Sequence, residues 1–186
     1  ATNFVPIDFT APTAATAAVT ITFKASGGLS GIGGGTRAIG FGLFNHAGTT
    51  PGTTFVDDAG YFTWLNGRST GSLLELRRRN GNGPSASLLA PTGTSFNNLG
   101  TGSAVQTVGA LSDGATYSLT LRLVRSANCV SLGTTSANTA NAGVVILGDG
   151  ISQTAFTNPD TPPAATVFNE VGFMFLNTTT APVTLT

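Results

Sequence analysis

An all-β, antiparallel sandwich with little or no helix is the fold class that this 186-residue chain predicts, and three features of the sequence predict it. The first is Thr116–Arg125, where Tyr117, Leu119, Leu121 and Leu123 alternate with Ser118, Thr120 and Arg122. A period of two belongs to a strand that buries one face and wets the other. The second is the repetition of that grammar: short apolar runs separated by Gly31–Gly35, Asn66-Gly67, Asn80-Gly81, Asn82-Gly83, Asp113-Gly114 and Asn158-Pro159, all turn signals. The third is the lack of any window with a sustained i, i+3, i+4, i+7 apolar pattern. The alanine-rich run Ala14–Ala18 is short and passes directly into β-branched Val19–Thr22.

The elements follow in order. Phe4–Phe9, carrying Pro6 and followed by Pro12, reads as a first strand. Residues 1–12 as a whole form a candidate detachable or exchanged segment, able to pair with its own sheet or with a neighbour's edge. Ala18–Lys24 comes next. Ala38–Phe44 and Val167–Leu176 are apolar on both faces, which places each in mid-sheet or under cover on both sides. Gly40 and Gly42 inside the former imply a close approach by another backbone or a bulky ring. Gly60–Asn66, Leu73–Arg78, Ser87–Leu89 and Ala104–Val108 lead to Thr116–Arg125, which the Asp113-Gly114 hairpin signal announces. Cys129–Thr134, Val144–Leu147 and Val183–Leu185 complete the set. Ser136–Asn141 and the proline-rich Thr157–Ala165 read as loops. No linker or fixed-period repeat divides the chain, so residues 1–186 read as a single domain.

Composition narrows the function. Charged residues make up 9% of the chain, against roughly 25% in ordinary soluble domains, and Lys24 is the only lysine. A formal net charge of zero provides no global field to attract nucleic acid or an anionic membrane. Near-zero charge also favours association. The single cysteine, Cys129, excludes an intrachain disulfide and reads as a small buried apolar residue. No stretch approaches the ~20 apolar residues of a membrane-spanning helix. The opening ATNFVPIDF reads as a mature start left by cleavage of an export signal.

Three segments carry a family resemblance. Gly40-Phe41-Gly42-Leu43-Phe44-Asn45, Gly60-Tyr61-Phe62-Thr63-Trp64-Leu65 and Phe168-Asn169-Glu170-Val171-Gly172-Phe173 resemble the exported jelly-roll domains of bacterial proteins with a PEP-type C-terminal sorting signal. Those domains are similar to the concanavalin A-like lectin and laminin-G sandwich superfamily. The resemblance spans roughly Ala38 to Thr186, and its motifs are short and structural. It implies two stacked, curved antiparallel sheets, export, and a place on the cell surface or in its matrix. It implies no catalytic residues.

The residues themselves provide no catalytic set. Glycoside hydrolysis needs two carboxylates flanking one bond, and the E-x-D-x-x-E pattern used by hydrolases of that superfamily is missing. Apart from Asp8 in the first segment, Glu75 and Glu170 are the only acids on predicted strands. His46, the only histidine, reads as a solvated turn residue, and no G-x-S-x-G elbow accompanies it. The chain therefore reads as non-enzymatic.

Binding candidates remain. On a strand, Glu75, Arg77 and Arg79 share one face and Leu74, Leu76 and Arg78 the other. Arg77 and Arg79, with Arg122 on the polar face of Thr116–Arg125, form a candidate grip on an acidic polysaccharide or a neighbouring subunit. The bland alternative is a charged strand edge that discourages wrong pairing. Tyr61 and Trp64, three residues apart, face opposite sides; Trp64 is assigned to the core and Tyr61 to the surface, as a platform for a sugar ring. The adjacent carboxylates Asp57 and Asp58 are a candidate calcium site, although no D-x-D-x-D-G spacing accompanies them. No other cofactor is expected. Two functional readings follow: a self-assembling structural protein of the cell surface or matrix, whose partners are its own copies, and a lectin-like module that binds surface polysaccharide.

Overall fold

The computed structural model describes residues 5–10, 14–26, 37–46, 58–67, 72–80, 96–98, 105–108, 111–112, 114–125, 140–148, 151–160, 165–177 and 184–185. The described residues contain strands and no helix: β1 (Ile7–Asp8), β2 (Ala15–Ser26), β3 (Arg37–Asn45), β4 (Ala59–Gly67), β5 (Ser72–Asn80), β6 (Phe96–Asn98), β7 (Val105–Val108), β8 (Thr116–Arg125), β9 (Ala140–Gly148), β10 (Ile151–Asp160), β11 (Val167–Phe168), β12 (Glu170–Asn177) and β13 (Thr184–Leu185). All pairings are antiparallel. One sheet runs β10-β9-β8-β2-β13, and the other runs β12-β3-β4-β5-β6 with β7 also on β5. β1 and β11 form a separate pair.

Both large sheets contribute to one core. Phe23, Tyr117, Leu119, Leu121 and Leu123 from the first meet Ile39, Phe41, Leu43, Tyr61, Leu65, Leu74 and Leu76 from the second. The all-β character is therefore sandwich-like, with alternate residues of each strand turned to a shared interior. β8 follows the predicted alternation: Tyr117, Leu119, Leu121 and Leu123 are buried, and Arg122 is exposed. Gly114, at the head of β8, has φ 77°, a conformation that glycine adopts without a Cβ penalty. On the outer face of the β2–β8 pair, Thr20 and Thr120 share a hydroxyl hydrogen bond of 2.8 Å, and Thr22 and Ser118 one of 3.1 Å.

The second sheet is buried on both faces at its centre. Phe41 and Leu43 of β3 enter the core, while Phe44, Phe62 and Trp64 are buried on the opposite face. Gly40 and Gly42 make that second layer fit. A Cβ on Gly40 would stand 2.4 Å from Trp64 Cε3, and one on Gly42 would stand 2.5 Å from Phe62 Cβ. The close ring expected over these glycines is thus present.

Several strand expectations change. β2 begins at Ala15 because its alanines lie in a continuous ladder with β8, which outweighs their helix preference. β9 begins at Ala140, and residues 151–160 form β10 although Thr157–Ala165 reads as a loop. Pro159 is tolerated because β10 is the outermost described strand of its sheet, where a missing N–H costs no ladder bond on the open side. Phe96–Asn98 is a strand that alternation does not reveal. The run Val167–Leu176 divides at Asn169 into β11 and β12. Its second part is an edge, not a mid-sheet strand: β12 pairs only with β3 among the described residues, and Val171 and Phe173 are 43% and 57% exposed. The runs expected at Ser87–Leu89 and Cys129–Thr134, and Cys129 itself, lie outside the described residues.

The described part of the amino-terminal segment, residues 5–10, pairs within its own chain through residues 7–9. Ile7 and Asp8 pair with Phe168 and Val167, and the Phe9 N–H donates to the Thr166 carbonyl at 2.8 Å. Phe9 is buried with its ring edge-on to Phe168 at 6.0 Å, and the guanidinium of buried Arg125 donates to the Phe9 carbonyl.

Candidate functional site

Strand register collects charge at one end of the second sheet. Glu170, Phe44, Gly60 and Arg79 form one cross-strand row through β12, β3, β4 and β5. His46 lies two residues beyond Phe44, and Asp58 two residues before Gly60. A spacing of two keeps a side chain on the same face, so His46, Asp58, Arg79 and Glu170 share the face opposite the core. Gly60 keeps this end tight: a Cβ there would stand 2.2 Å from the Leu43 carbonyl oxygen and 2.8 Å from Phe44 Cα.

The cluster is built around a buried carboxylate. Asp58 is 0% exposed, and its Oδ1 lies 2.6 Å from His46 Nδ1. Arg79, also 0% exposed, donates its Nε–H to the Asp58 backbone carbonyl at 2.9 Å. Asn169 fixes the histidine's backbone from both sides. Its Oδ1 accepts the His46 N–H at 2.7 Å, and its Nδ2 donates to the His46 carbonyl at 3.1 Å. The Asn169 N–H donates to the Phe44 carbonyl at 2.9 Å. The break between β11 and β12 thus places one asparagine where it can pin the end of β3.

Burial and mutual charge set the electrostatics. Burial pushes the Glu170 carboxyl above the ordinary glutamate range, and the charge of Asp58 pushes it further; His46 and Arg79 act in the opposite sense. Burial pulls the Arg79 guanidinium below its ordinary value, while Asp58 and Glu170 support its charge. A buried ion is costly unless opposite charge and hydrogen bonds compensate for lost water. Here Arg79 provides opposite charge and His46 a hydrogen bond to Asp58 Oδ1, while Asp58 Oδ2 has no hydrogen-bond partner among the described residues. One donor atom from each of His46, Asp58 and Glu170 lies within 4.8 Å of the others.

The sequence-predicted sites fare differently. Tyr61 is a core residue, 1% exposed, with its ring 6.0 Å from that of Phe168, and it presents no surface platform. It faces the shared interior because its strand parity matches Leu65, while Trp64 is buried on the other face. Arg79 is interior, not part of an exposed patch, because its row ends in the buried cluster. Arg77 hydrogen-bonds its same-face neighbour Glu75, with Nε to Oε2 at 2.7 Å, and the pair is part-buried. Arg122 is exposed on the outer face of the other sheet, so the structure does not bring it together with Arg77 and Arg79. Glu75 and Glu170 do not meet, since β3 and β4 separate their strands. Asp57 lies outside the described residues, and its neighbour Asp58 joins a histidine instead. His46 is no solvated turn residue, with a side chain only 12% exposed. Sequence reasoning missed the His46–Asp58–Glu170 grouping and the role of Asn169. The available signal was the shared parity of residues 44, 46, 58 and 60 in one hairpin.

Comparisons with protein-family models, with curated proteins and with solved structures found no match to this chain.

Proposed function

We propose that the protein is a non-enzymatic structural component of a cell surface or extracellular matrix, with its two sheets wound as a jelly roll, and that it associates with copies of itself. One observation carries this reading. β12 is an edge among the described strands, and it displays Val171 and Phe173 at 43% and 57% exposure. These two residues lie opposite Leu43 and Phe41, so they continue the core-facing side of the sheet past its covered part.

An edge strand offers unpaired backbone groups, and natural edges are commonly protected by lysine or proline. β12, EVGFMFLN, contains neither, and the whole chain has a single lysine. A second copy provides matching strand chemistry and the same apolar pair, so edge-to-edge pairing covers both. Zero net charge removes long-range repulsion between copies. The resemblance to exported jelly-roll domains supports the surface location. The lectin-like alternative retains exposed Arg122 and half-buried Arg77 but loses Tyr61 and Arg79 to the interior.

The test compares the parent chain with the pair Val171→Lys/Phe173→Lys by light scattering after size exclusion and by electron microscopy. Oligomers or fibres are expected from the parent, and monomers from the lysine pair. A monomeric parent at concentrations of tens of micromolar sinks the reading.

A further inference from the structure

We propose that His46, Asp58 and Glu170 form a binding site for a divalent ion of the zinc class, which fastens the edge strand β12 to the β3–β4 hairpin. The inference goes beyond self-association and does not depend on it. Three observations carry it.

The first is the donor set. An imidazole nitrogen and two carboxylate oxygens, all within 4.8 Å of one another, come from three separate chain segments. Nitrogen with carboxylate oxygen suits zinc and its transition-metal neighbours. Calcium prefers six to eight oxygens, so the imidazole argues against the calcium site expected from Asp57 and Asp58.

The second is the unmet need of the buried carboxylate. Asp58 is 0% exposed, and its Oδ2 is buried with no hydrogen-bond partner among the described residues. Buried carboxylate oxygens are ordinarily satisfied, and an acceptor left over beside two further metal-ligating side chains points to a cation.

The third is the support around the donors. Asn169 holds the His46 backbone through both its N–H and its carbonyl, and Arg79 holds the Asp58 carbonyl. These contacts hold the backbone at the two residues that carry the imidazole and the buried carboxylate, so two of the three donors start from fixed main-chain positions.

Tetrahedral zinc with bonds of about 2.1 Å sets its donors about 3.4 Å apart. The His46–Asp58 contact of 2.6 Å must open by less than an ångström, while Glu170 swings inward. The ion takes the place of the proton between His46 Nδ1 and Asp58 Oδ1. From an imidazolium that proton leaves to solvent, and from a neutral imidazole it moves to Nε2, so the ring ligates as neutral imidazole in both cases. Arg79 adds positive charge to the same cluster, so binding is weaker than at an all-thiolate structural zinc centre.

The experiment uses the full chain stripped of metal by chelation. Cobalt(II) titration followed by visible absorption reports tetrahedral coordination, and thermal melting with zinc reports stabilisation. At a hundredfold excess over Kd, zinc should raise Tm by about 5–10 °C. Glu170→Gln should weaken zinc binding at least tenfold and abolish the cobalt bands. Its partly exposed position makes it the variant that keeps the fold, checked by circular dichroism. His46→Ala should do the same. The proposal is overturned if zinc leaves Tm unchanged, if folded Glu170→Gln responds like the parent, or if calcium stabilises and zinc does not. None of these readouts involves oligomer size, so failure here and failure of self-association are distinguishable.

Discussion

The β2–β8 ladder and the β3–β4 hairpin are both long antiparallel pairs, yet they solve burial in opposite ways. The first buries one face: Phe23, Leu119, Leu121 and Leu123 enter the core, and a row of threonine and serine hydroxyls faces outward. The second buries both, with Phe41, Leu43 and Tyr61 in the core and Phe44, Phe62 and Trp64 behind. One-sided burial tolerates small changes on its wet side. Two-sided burial has nowhere to put an extra atom, so it needs glycine wherever a ring crosses, and any charge at its end is trapped with whatever partners the register supplies.

This contrast can be broken most forcefully at the trapped charge. Arg79→Ala should cost about 3–5 kcal/mol, because it leaves the Asp58 carbonyl without its donor and two carboxylates without their buried cation. Denaturant unfolding measures it, and a loss below about 1 kcal/mol would mean that the cluster is compensated elsewhere. Next comes the backbone packing. Gly60→Ala should cost about 1–3 kcal/mol, since its Cβ meets the Leu43 carbonyl and Phe44 Cα rather than the end of a flexible side chain. A melt matching the parent would show that β3 and β4 can separate more easily than their packing implies. The smallest effect belongs to the wet face. A double-mutant cycle on Thr20→Ala and Thr120→Ala should give a coupling of about 0.2–1 kcal/mol. A coupling as large as the Arg79 effect would erase the distinction between the two pairs.

The same contrast explains what could be read in advance. β8 was legible to the residue, because one-sided burial writes itself as alternation. The glycines of β3 were legible as close-approach sites, because a missing side chain in an aromatic run has few other meanings. β10 was hidden by Pro159, whose tolerance depends on an edge position that only strand order reveals. Tyr61 and Trp64 were correctly placed on opposite faces, but parity does not say that both faces are covered. The charged cluster was the least legible. Asp58 and His46 are only 12 residues apart, yet Glu170 joins them through the pairing of β12 with β3, a non-local register that no local pattern encodes.

The division at Asn169 has a mechanical consequence. On one side of this residue the chain holds β1 by two residue pairs, and on the other it holds β3 by eight. The β2–β8 ladder runs through ten pairs. Tension applied at Val5 would load the two-pair junction first, with the Phe9–Thr166 hydrogen bond and the Arg125 grip on the Phe9 carbonyl next in line. The amino-terminal segment would peel away one rung at a time while the larger sheets stayed closed. In a protein carrying load between neighbours, that junction would act as a fuse, yielding before the core is strained.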